Sequence, residues 1–228
     1  MNVMVFIYDG SQVNKLTECV STLKKFSDCK IKLYCRTVFD LPIEHCRLGQ
    51  KWNGRRMTHR MEIIRNLPAK EDDNVISCDI DVRFQGDPFV VFENQFDLFY
   101  TSRQYDCDSP VNAGVWGIRK NKPADALLDF MISQATKPTW EPYLTVRRRL
   151  KRDDRANEID WWTNQDILCA FHESPKIGKV FDAGARYNCC PHTGPELPLT
   201  EETISNFRLK IGNPDYTIIH YKELEGKL

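Results

Sequence analysis

The chain has 228 residues, a length that suits one α/β domain with a sizeable core. Its apolar and charged fractions, 41% and 28%, are those of an ordinary globular protein, which argues against a disordered chain. Lys plus Arg and Asp plus Glu each total 32, and this zero net charge argues against a general nucleic-acid or membrane-surface binder, which needs a basic excess.

Asn2 to Tyr8 (NVMVFIY) is an almost unbroken apolar run, as expected of a strand buried on both faces. It has no basic segment before it, so it reads as a strand and not as a signal peptide. Asp9-Gly10-Ser11 breaks the run, and Val13, Leu16, Val20 and Leu23 follow at helical spacing with Ser11 as N-cap. Lys30 to Cys35 alternates as a second strand, so the three elements form a right-handed parallel unit. A helix is predicted from Trp52 to Leu67, with Met57, Met61 and Ile64 on one face and Pro68 ending it. Asn74 to Cys78 (NVISC) is another buried strand, Asp87-Pro88-Phe89 a turn, and Phe96 to Thr101 a fourth strand. Asn112-Ala113-Gly114 opens a fifth strand, Val115 to Ile118, and Pro123 starts a helix that runs to about Ala135. Residues 137–157 show no clear period. Trp161 to Phe171 reads as helix, Val180-Phe181 and Thr217 to Tyr221 as late strands, and Asn188 to Pro198 as loop. No segment approaches the roughly 20 apolar residues of a membrane helix. The nine cysteines are odd in number, scattered and without a CxxC pair, which reads as free thiols in a reducing compartment rather than a disulfide framework or zinc site.

Alternating strands and helices indicate an α/β fold with a mostly parallel central sheet flanked by helices, here one domain over residues 1–228. In such sheets ligands bind beyond the carboxyl ends of the strands. Chemistry is therefore expected just after Tyr8, after Cys78 and near Asn112.

Asp79-Ile80-Asp81 follows directly on a buried strand, so its two carboxylates can converge on one hard cation. Left without a cation, two carboxylates that close would resist joint ionisation. The plainer reading is a pair of acids in a solvated turn. The basic run Arg147-Arg148-Arg149-Leu150-Lys151-Arg152 also has two readings. It is a solvated helix face balanced by Asp153, Asp154 and Glu158, or a contact for an anionic acceptor. Trp140, Trp161 and Trp162 can stack on sugar faces but are as well explained as core.

Four segments, in order over nearly the whole chain, resemble the metal-dependent nucleotide-sugar glycosyltransferases of the GT-A fold, the retaining galactosyltransferase and glycogenin-like group (family 8) above all. They are VISCDIDVRF at 75–84, VNAGVWGIRKN at 111–121, Asn164-Gln165-Asp166, and IIHY at 218–221. The resemblance implies transfer of a hexose from a nucleoside-diphosphate sugar, a UDP-sugar first of all, to a glycan or other hydroxyl acceptor, with retention. It implies a manganese or magnesium cofactor held by Asp79, Asp81 and His220. It places Tyr8, Asp9, Arg60, Ile80 and Lys227 at the donor nucleotide, and Asn112, Ala113, Gly114 and Asn164 at the sugar or acceptor. Gln165 and Asp166 would face the reacting sugar as the catalytic pair. Two departures stand out. Asn164 occupies the place of the family's first acid and cannot act as a base, with Asp160 nearby as a substitute; Gly226-Lys227 compresses the family's glycine and lysine phosphate segment.

Three other readings stay open. An inverting enzyme needs a general base, for which Asp108 is the candidate. A nucleotidyltransferase needs a glycine-rich basic loop after the first strand, where YDGSQVNK offers one glycine. A non-catalytic sugar-nucleotide-binding module is favoured by Asn164 alone. The expected compartment is the cytoplasm, from the free cysteines and the missing anchor, and no nucleic-acid partner is expected.

Overall fold

The computed structural model describes residues 1–8, 12–36, 40–48, 56–103, 107–152, 159–174, 177–190 and 201–221, apart from the side chains of 56, 57, 159–161, 203 and 207. In chain order the elements are β1 (Asn2–Tyr8), α1 (Val13–Leu23), β2 (Lys30–Cys35), β3 (Glu44–Arg47), α2 (Arg56–Arg65), β4 (Asn74–Cys78) and β5 (Val82–Phe84). A short 3-10 turn (Pro88–Glu93) leads to β6 (Leu98–Tyr100), β7 (Val115–Arg119), α3 (Lys122–Thr136), α4 (Glu141–Arg149) and α5 (Ile159–Glu173). β8 (Val180–Asp182), a second 3-10 turn (Ala185–Tyr187), α6 (Glu201–Arg208) and β9 (Ile218–His220) complete the described chain.

Seven strands form one sheet in the order β3-β2-β1-β4-β7-β6-β8. β7 runs antiparallel to both its neighbours, and every other pair is parallel. The unbroken apolar runs are explained by burial of both faces. In β1, Val3 and Val5 enter the core under α2 to α5, while Met4, Phe6 and Tyr8 enter the opposite core with α1. β7 divides the same way, with Trp116 and Ile118 on the first face and Val115 on the second.

The reversed strand positions the site. β1 and β4 end side by side, and β7 begins where β4 stops, with Cys78 opposite Val115. The Asp79 N–H then donates to Gly114 O at 2.8 Å, which locks the acidic turn onto the Asn-Ala-Gly segment. β5 and β9 pair separately as a small antiparallel ribbon, with Val82 opposite His220 and the Tyr221 N–H donating to Asp81 O at 2.9 Å.

The structure adds four elements that periodicity does not announce. β3 is an edge strand of Glu, His, Cys and Arg with no apolar alternation, and β5 is only three residues long. α4 falls in the stretch without a clear period because its buried face is Tyr143, Val146 and Arg147. α6 anchors through Ile204. The expected strand at 96–101 is confined to Leu98–Tyr100, and Asp87-Pro88-Phe89 opens the 3-10 turn, capped by the Asp87 side chain. The N-cap of α1 is Gln12 and not the expected Ser11, with no side-chain cap bond, and the expected helix start at Trp52 lies outside the described residues. No described helix is long and apolar enough to cross a membrane.

Candidate functional site

Asp79 leaves the end of β4, Asp81 enters β5, and His220 ends β9. His220 Nε2 lies 3.0 Å from Asp81 Oδ1 and 3.8 Å from Asp79 Oδ2. One ligand atom from each residue falls within 4.8 Å of the others. The imidazole is 1% exposed, whereas the carboxylates are 30% and 26% exposed, so the cluster has a buried floor and an open side. Asp79 Oδ1 accepts from Arg60 Nη2 at 2.7 Å, and the guanidinium also reaches Ala113 O at 3.5 Å. Two carboxylates against one buried arginine leave a net negative charge that suits a divalent cation with oxygen and imidazole ligands.

Gly114 bears on the same point. A Cβ there would lie 2.5 Å from His220 Cε1 and 2.8 Å from Asp79 Oδ2. The backbone therefore approaches the cluster more closely than any other residue type allows.

The Asn-Ala-Gly segment is buried and ordered from within. The Gly114 N–H donates to Asn112 Oδ1 at 2.9 Å, and Asn112 Nδ2 is buried without a partner among the described residues. Ala113 is 5% exposed, and its N–H points to Gln165 Oε1 at 3.5 Å. Gln165 Nε2 donates to Ser109 Oγ at 2.9 Å, so α5 and this segment are tied together. Asn164 is 1% exposed, and neither polar atom of its amide has a partner among the described residues. Asp166 is buried and accepts from Arg152, whose guanidinium also lies 4.4 Å from the ring centroid of Trp162. Burial pushes the Asp166 carboxyl up to about 7, against the opposing pull of Arg152, Arg147 and Arg149.

Tyr8 is buried in the α1-side core, and its hydroxyl accepts from the Gln12 N–H. Ile80 packs half-buried against that core. Asp9 and Lys227, and the side chain of Asp160, lie outside the described residues. Asp108 is exposed, and its carbonyl accepts from Arg149. The basic run is engaged internally. Arg147 is buried and donates to Arg152 O, Arg148 pairs with Glu141, and Arg149 makes a two-pronged pair with Glu173. Trp140 packs on Phe130 and Phe171 as part of the core.

Two residues at the site carry no signal in the sequence pattern. Asn188 Oδ1 meets His220 Nδ1 at 3.0 Å from within a loop, and Arg152 reaches Asp166 from a run that reads as solvated surface. An amide in a loop has no periodicity to betray it.

No protein-family model and no curated protein sequence matches the chain. Solved structures do. The glycosyltransferase GlyE of Streptococcus pneumoniae TIGR4 superposes with a TM-score of 0.57 at 17% identity, over 96% of this chain and 54% of that one. This chain thus spans about half the length of GlyE. The galactosyltransferase LgtC, solved with donor and acceptor sugar analogues, gives 0.57 at 14% identity over 97% of this chain and 87% of that one. A glycosyltransferase involved in glycosylation of the major capsid of PBCV-1 gives 0.56 at 12% identity over 96% and 91%. With the mostly parallel seven-stranded sheet, these likenesses establish that the chain has the GT-A glycosyltransferase fold.

Proposed function

We propose that the protein transfers a hexose, with retention, from a UDP-sugar to a hydroxyl of a glycan acceptor, using manganese or magnesium held by Asp79, Asp81 and His220. The observation that carries this reading is the convergence of those three ligands beyond the carboxyl end of β4. The ion, when bound, supplies charge neutralisation at the diphosphate leaving group. Arg60 holds Asp79 in place from beneath, so that Oδ2 remains on the His220 side. The Asn112 Nδ2 group is a ready donor, and the Asn164 amide a ready donor and acceptor, for sugar hydroxyls, since a buried polar group without a partner among the described residues is costly until a ligand meets it. Gln165, braced by Ser109, is assigned to the reacting sugar in this reading. Asp166 is committed to Arg152, so it serves as an oriented hydroxyl acceptor and not as the base that inversion would need. Nine free cysteines support a cytoplasmic setting.

The test is calorimetric binding of UDP, GDP and a panel of UDP-sugars, with and without manganese, to the wild type and to Asp81→Ala. Metal-dependent UDP binding that Asp81→Ala abolishes supports the donor site, and proton NMR of the product anomer then decides retention. Absence of nucleotide binding with every metal would refute the proposal.

A further inference from the structure

Asn188 is 2% exposed and bonded on both ends of its amide. Its Nδ2 lies 2.9 Å from Thr101 Oγ1 and 3.1 Å from the backbone carbonyl of Asn112. A carbonyl only accepts, so the atom facing it must be the NH2 group. Thr101 agrees, because its own hydroxyl proton is directed at the carbonyls of Asn112 and Val115 (2.9 and 3.0 Å), leaving its oxygen to accept. Turning the amide over would set oxygen against oxygen. Oδ1 therefore faces His220 Nδ1, 3.0 Å away, and can only receive a proton there.

We propose that Asn188 is the positioning residue of the candidate metal site, holding His220 as the Nδ1–H tautomer with the lone pair of Nε2 aimed between Asp79 and Asp81. This rests on the metal reading above. The geometry around Nε2 fits it: Asp81 Oδ1 at 3.0 Å and Asp79 Oδ2 at 3.8 Å are both acceptors. Three electron-rich atoms face one another there, an arrangement that a shared cation satisfies. Metal-binding histidines are commonly oriented in this way by a partner on the other ring nitrogen. The anchors of Asn188 lie after β6 and before β7, while the neighbouring Cys189 exchanges backbone hydrogen bonds with Ile218 and His220 of β9. One amide thus references the late strand to the central sheet.

The experiment is long-range proton–nitrogen NMR of the imidazoles in metal-free, nitrogen-15-labelled protein, at a pH well above the ordinary histidine pKa. His220 is assigned by the signal lost in His220→Gln. The wild type should show Nδ1–H, and Asn188→Ala should shift His220 largely to Nε2–H, the form an unrestrained imidazole prefers. Manganese affinity, read by electron paramagnetic resonance, should fall roughly ten- to hundredfold in Asn188→Ala. A purely structural role would lower the melting temperature while leaving tautomer and affinity unchanged, which overturns the proposal. So would Nε2–H or a doubly protonated ring in the wild type, a result that needs no variant to fold. A switched tautomer in a protein that never binds manganese would keep the positioning role and refute the metal reading instead.

Discussion

Arg60 Nη2 lies 2.7 Å from Asp79 Oδ1, so a guanidinium only 4% exposed grips one carboxylate oxygen while the other stays beside His220. A guanidinium is suited to this, because one nitrogen neutralises the carboxylate while another reaches Ala113 O. Arg60→Met should leave the fold intact and lower kcat/KM for the donor about 30-fold, equivalent to about 2 kcal/mol for a lost charged hydrogen bond. Steady-state kinetics with varied donor checks it.

Gly114→Ala is the sharpest steric test. The added methyl would sit at 2.5 Å from His220 Cε1 and 2.8 Å from Asp79 Oδ2, separations that real side chains do not show. His220 is buried and cannot swing into solvent, so the ligand set must spread. Manganese affinity should fall by at least about tenfold, a change of ~1.4 kcal/mol, with circular dichroism unchanged.

Asp166 should leave a pH signature in stability. Its carboxyl is raised to about 7 in the folded chain, against roughly 3.9 when unfolded. The folded state therefore holds the extra proton between those values. The stabilisation this gives is fully present below about pH 4 and is lost as pH rises through about 7. Melting curves across that window should fall more steeply with pH in the wild type than in Asp166→Asn. Under the proposed role of Asp166 as a hydroxyl acceptor, which the ionised form fills best, donor use should rise through the same upper limit. Arg152→Met should move that rise to higher pH by removing the opposing cation.

The basic run separates into unequal parts. Arg147 is 6% exposed, donates to Arg152 O at 3.2 Å and lies over the Tyr143 ring. Among the described residues, Arg148 reaches Glu141 and Thr145 at the surface. Arg147→Ala should cost about 2 kcal/mol in urea denaturation and Arg148→Ala under about 0.5 kcal/mol, with little effect of Arg148→Ala on turnover.

The parts of the fold legible in the sequence are those where both faces of a strand are buried. NVMVFIY and NVISC read as central strands because Val3 and Met4, or Val75 and Ile76, must enter different cores. The position of Asp79 and Asp81 followed from the second run, whereas His220 was reached through the resemblance that IIHY at 218–221 carries. β3 was not legible, since Glu44 to Arg47 lies at a sheet edge, where neither alternation nor continuous apolarity is required. α4 was obscured because one of its three buried residues is an arginine. Asn188 and Arg152 were beyond reach for a different reason: their roles depend on partners outside their own local segments, and pattern reports only on neighbours.

His220 and Asp81 are separated by 139 positions in the chain yet meet at 3.0 Å. During synthesis the acidic turn therefore emerges long before its histidine, and the three-residue cluster is incomplete until β9 docks on β5. An ion seated there would act as a removable clasp between early and late chain, closing a very long loop whose entropic cost grows only slowly with length. Its departure would loosen the late strand first. Donor release and local unfolding of β9 would then draw on one shared equilibrium, so product nucleotide and metal should protect the same backbone amides from exchange.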